Sequence, residues 1–116
     1  MANFFGTTIA RYVVQGSCKA NQSTWTPMRV GATNLVGRQW VELQVRGTTA
    51  LAIAFANVNA DGTFTTPTVS GHHTIIIPRN AIKIFPVSDS VTIYGRSVNK
   101  MASNAGGCKV VVAEFA

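Results

Sequence analysis

Trp40-Val41-Glu42-Leu43-Gln44-Val45-Arg46 alternates at every step, with Val41, Leu43 and Val45 on one side and Glu42, Gln44 and Arg46 on the other. A period of two is the pleat of a β-strand with one buried face. Shortly after it, 50–56 places Leu51, Ile53 and Phe55 on one face and only alanines on the other. That alanine face has two readings. Small residues let an opposing sheet come close, or they form a flat surface matched to another subunit. Working outward from these two runs, further strands are expected at 8–15, 28–36, 63–69, 73–77, 81–85, 90–95 and 108–115. Turn chemistry separates them. Asp61-Gly62 tolerates positive φ and closes a hairpin, Ser70-Gly71 turns the next pair, and Pro78 and Pro86 end strands because proline cannot donate to a ladder.

Many short strands at regular spacing, with no helical pattern, predict an all-β antiparallel sandwich of jelly-roll-like type. The 116 residues form one domain, 1–116, long enough for a core of its own. The longer connections, 16–27 and 97–107, read as loops able to carry contacts. Charged residues are 12% of the chain, well under the usual share of about a quarter. The polar surface must therefore come from Thr, Ser, Asn and Gln, and part of the uncharged surface is open to a partner.

Ten Lys and Arg face four Asp and Glu, a net charge of +6. The cations are dispersed along the chain, which argues against a basic tail. It leaves open whether the fold gathers them into a patch or scatters them as solvating charges. The N-terminus has neither the basic nor the long apolar segment of a secretory leader, so Cys18 and Cys108 are expected as thiols, with a bridge between them left open. No apolar stretch approaches the roughly 20 residues needed to span a bilayer as a helix, and no membrane partner is expected.

Catalytic chemistry has little to stand on. Adjacent His72 and His73 point to opposite faces of a strand and lack nearby acids or cysteines, so no metal is expected. Glu42, Asp61, Asp89 and Glu114 form no marked acid–base pair, and nucleophile and phosphate-cradle motifs are absent. The expectation is a non-enzyme with no cofactor. Single-stranded nucleic-acid binding needs aromatic and basic residues on one sheet face. Lys83 with Phe85 and Tyr94 with Arg96 meet that only weakly.

The second half carries a recognisable ordering. An apolar strand ending in Asn57 is followed by a polar turn with Gly62. Next come Thr74-Ile75-Ile76-Ile77-Pro78, Ile82-Lys83-Ile84-Phe85-Pro86 and Val91-Thr92-Ile93-Tyr94-Gly95-Arg96-Ser97. The chain ends with Val110-Val111-Val112-Ala113-Glu114-Phe115. This ordering resembles small virion proteins of tailed bacteriophages, in particular head decoration or cement proteins, and also head-fibre and tail-accessory modules. The first 39 residues do not share it. The resemblance implies a homodimeric or homotrimeric subunit made in the host cytoplasm. It would bind major capsid protein on the outside of an icosahedral shell and stabilise its joints. Candidate interface residues are Phe4, Phe5, Arg11, Lys19, Trp25 and Arg29, with 1–8 as a docking arm. For the aromatics, ordinary core packing is the competing reading.

Overall fold

The computed structural model describes residues 3–4, 7–8, 13–20, 24–47, 49–67, 75–98 and 108–116. The expected strands at 40–46 and 108–115 and the alternating run at 50–56 appear as β5 (Trp40–Arg46), β10 (Cys108–Phe115) and β6 (Leu51–Asn57). They are joined by β1 (Asn3–Phe4), β2 (Thr7–Thr8), β3 (Val13–Ala20), β4 (Thr26–Pro27), β7 (Ile75–Ile77), β8 (Ile82–Phe85) and β9 (Val91–Ser97). Among the described residues there is no helix. β1 and β2 pair as a small ribbon, and the other strands form two antiparallel four-stranded sheets ordered β3-β10-β5-β8 and β4-β9-β6-β7.

The alternation of β5 decides which side is covered. Val41, Leu43 and Val45 are fully buried, and through the antiparallel register they share a face with Val110 and Val112 of β10. From the other sheet, Leu51, Ile53, Ile77 and Ile93 join the same hydrophobic cluster. Met28, Ala20 and Cys108 complete it. Each fully buried Leu, Ile or Val contributes about 1.5–3 kcal/mol relative to exposure, so this shared cluster is the main stabilising term. Gly95 faces this cluster closely, because a Cβ there would stand 3.0 Å from both Leu51 Cδ1 and Met28 Sδ.

Three segments depart from the sequence reading. The 28–36 segment is not a strand: the amides of Val30 and Leu35 donate to the Glu114 carboxylate, 2.9 and 3.1 Å away, so the backbone turns inward instead of joining a ladder. The expected strand at 63–69 is a single bridge between Val58 and Phe64, while 68–69 lie outside the described residues. The turn before it does form, with Gly62 at φ 86° and the Asn59 amide donating to Thr63 O at 2.7 Å.

Of the first expected strand, 8–15, Thr8 belongs to β2 and 9–12 lie outside the described residues, while 13–15 open β3, which runs on to Ala20 through residues read as the start of a loop. Its core-facing positions are Val14, Gly16, Cys18 and Ala20, small residues that give little hydrophobic signal. A Cβ on Gly16 would stand 3.1 Å from Val30 Cγ1, so any larger residue there needs the Val30 side chain to give by a few tenths of an ångström.

Candidate functional site

Four carboxylates exist in the chain. Glu114 is fully buried, and Arg38 Nη1 donates to its Oε2 at 2.6 Å. Arg38 Nη2 also donates to the carbonyl oxygens of Ser88 and Val91. The sequence reading gives Glu114 no partner; a lone Glu in an apolar strand is a signal of a buried pair, but nothing marks Arg38, 76 residues earlier, as the other half. Together the two side chains tie the 28–38 segment, the 88–91 turn and β10 into one end of the molecule. A cavity of about 300 Å³ lies beside them, lined by Val14, Val30, Leu35 and Val36 with Glu114 at its wall. Glu114 already accepts from Arg38, Val30 and Leu35, so its role there is structural. Asp61 accepts from the Thr63 hydroxyl and amide, which hold its carboxyl below the usual range, and Asp89 accepts from the Gly37 amide.

Cys18 and Cys108 are free thiols on adjacent strands. Burial pushes the Cys18 thiol up to about 11, and burial likewise raises that of Cys108. A raised thiol is a poor nucleophile. Among the described residues no three His, Cys, Asp or Glu side chains gather as a metal site. The pair His72-His73 lies outside those residues.

Of the candidate interface residues, Phe5 and Arg11 lie outside the described residues, and Phe4 is placed by backbone only, in the β1–β2 ribbon. Lys19 is exposed on β3 and Arg29 is half-buried after β4. Trp25 is 6% exposed. Its ring packs with Ala52 and Tyr94, and the Arg96 guanidinium carbon stands 5.1 Å from the ring centroid. Trp25 therefore follows the core-packing reading within this chain. The register pairs Ala52 with Arg96 and Ala54 with Tyr94, so the alanine face lies opposite the shared cluster. It is the floor on which these aromatic rings sit, a use that neither reading of the alanines had included.

What remains open is surface. β7 and β8 are each one edge strand of their sheets, β4 and β3 being the opposite edges, and the 78–81 turn joins β7 to β8, so these two edges lie on one flank. Ile75, Ile76, Ile82 and Ile84 are exposed there, the last two by 53% and 59%. Ile82 and Ile84 share the outer face of their sheet with Gln44 and Glu42. Farther along that face Trp40 stacks on Phe115 with centroids 5.3 Å apart. Comparison with protein-family models, with curated proteins and with solved structures returns no match to this chain.

Proposed function

We propose that this protein is a structural subunit working by contact alone: an antiparallel, jelly-roll-like β-sandwich that self-associates. In this reading it decorates the outer surface of a tailed-phage capsid and stabilises joints between major capsid proteins. The observation that carries self-association is the isoleucine flank of β7 and β8. A free sheet edge with exposed apolar side chains is a template for pairing with another strand, and proteins that keep such an edge cover it. Two β8 edges meeting about a twofold axis would bury Ile82 and Ile84 of both copies and extend the sheet across the dimer. The capsid part of the proposal is supported by the ordering of residues 50–115, with which the shared cluster between two sheets is compatible.

An assembled shell repeats one site many times, so an oligomer gripping neighbouring shell subunits gains avidity beyond any single contact. Two measurements test the proposal. Sedimentation equilibrium should give a dimer or trimer of the 12.3 kDa chain; a monomer at every concentration removes self-association. Co-expression with the shell protein encoded in the same genome should place the chain in the assembled-shell fraction. Its absence from that fraction removes the capsid role.

A further inference from the structure

The register gathers cations that the sequence disperses. Lys109 of β10 stands directly opposite Lys19 of β3 on one side and Arg46 of β5 on the other. All three are exposed and point away from the shared cluster, since their strand neighbours Val110 and Val45 point into it. Neighbouring strands lie about 4.8 Å apart, so this is a continuous cationic row across three strands. Like charges placed directly opposite one another are destabilising. The row has no internal remedy: the one ion pair among the described residues is Arg38 with Glu114. Glu42, the nearest acid on this face, is four residues along β5, about 13 Å away.

At the other end of the same face the register aligns Val13, Phe115 and Trp40, and on the β8 side Ile84 and Ile82 lie between the two rows, opposite Glu42 and Gln44. The apolar row lies six residues along β5 from the cationic one, about 20 Å away. We propose that this outer face docks a different, acidic protein, with the partner's carboxylates over Lys19, Lys109 and Arg46 and an apolar patch over Val13, Phe115 and Trp40. The inference rests on the reading of the chain as a protein-gripping subunit. A second copy does not fit, because the chain has four acids, one of them buried, and no surface row of them. A nucleic-acid strand fits less well, since stacking requires aromatics interleaved with the cations. Here the two rings lie at the far end and stack on each other.

Amide NMR of the full chain tests the assignment with three probes. The first is a peptide of three glutamates, a short Ser/Thr spacer and Leu-Phe-Leu; the others are oligoglutamate and oligothymidylate of matched charge. The two-ended peptide should shift amides at 17–20, 44–46 and 108–110 and also at Trp40 and Phe115. It should bind about tenfold tighter than oligoglutamate. A Lys19→Gln/Arg46→Gln/Lys109→Gln variant, with a dispersed spectrum as folding control, should lose about tenfold, three exposed pairs at about 0.5 kcal/mol each. Equal affinity for oligoglutamate overturns the two-ended surface. Tighter binding of oligothymidylate through the row assigns it to nucleic acid, and no shift at the row with any probe removes it. These readouts report on named amides and do not depend on whether the β8 edge self-associates.

Discussion

At the residue scale, Glu114 and Arg38 are enclosed charges whose value depends on each other. Removing one partner of a buried pair leaves the other uncompensated, at about 3–5 kcal/mol. Glu114→Gln should therefore lower the melting temperature by more than about 10 °C in a circular-dichroism melt. An Arg38→Met/Glu114→Gln double variant should be more stable than Glu114→Gln alone, because it leaves no bare guanidinium, while in both variants the Gln oxygen can accept from only one of the Val30 and Leu35 amides. A double variant as unstable as the sum of its singles would mean that the pair does not couple. Cys18 gives a prediction about pH. Its folded pKa is raised from 9.0 to about 11, so between those values the unfolded chain releases the proton first. The stability present below pH 9 is then lost as pH rises toward 11. Cys18→Ala should flatten that alkaline decline of the melting temperature; an unchanged slope would assign it to other groups.

At the element scale, β8 sets the expectation for association. Ile84 is 59% exposed and lies on the outer face of an edge strand, so a charge there costs the isolated chain little. It would still oppose burial against a second copy. Ile84→Lys should therefore yield a folded monomer, with unchanged circular dichroism and a halved or smaller sedimentation mass. A mass equal to wild type would place the interface elsewhere. Strands whose alternation pairs large apolar residues with polar ones, such as Trp40–Arg46, were legible from sequence because burial itself writes that pattern. β3 was not, because its inner positions include Gly16, Cys18 and Ala20, small residues that give little hydrophobic signal. The 28–36 segment reads as a strand because Met28, Val30 and Ala32 alternate with Arg29, Gly31 and Thr33, but its Val30 and Leu35 amides are taken by a carboxylate brought from the far end of the chain. For the same reason the cationic row stayed hidden: Lys19, Arg46 and Lys109 become neighbours only once strand order and register are known.

At the scale of the whole molecule, the question is whether two sheets make one unit. The shared cluster takes Val41, Leu43, Val45, Val110 and Val112 from one sheet and Leu51, Ile53, Ile77 and Ile93 from the other. Neither sheet can lose the other without exposing its inner face, so they should unfold together. The chain's two tryptophans report on this separately. Trp25 packs on the β4-β9-β6-β7 sheet, against Ala52 and Tyr94, and Trp40 lies on the outer face of the other, stacked on Phe115. In Trp40→Phe the fluorescence follows Trp25 alone, and in Trp25→Phe it follows Trp40 alone. The Trp25→Phe midpoint should shift down, because a smaller ring leaves a void over the alanine floor. Within each variant, though, the fluorescence midpoint in urea should coincide with that of far-ultraviolet circular dichroism. A fluorescence transition that precedes the dichroism in one variant and follows it in the other would mean that the sheets unfold one after the other. Coincidence in both would mean that strain applied to one face is resisted by the entire core, the property that the proposed joint-reinforcing role requires.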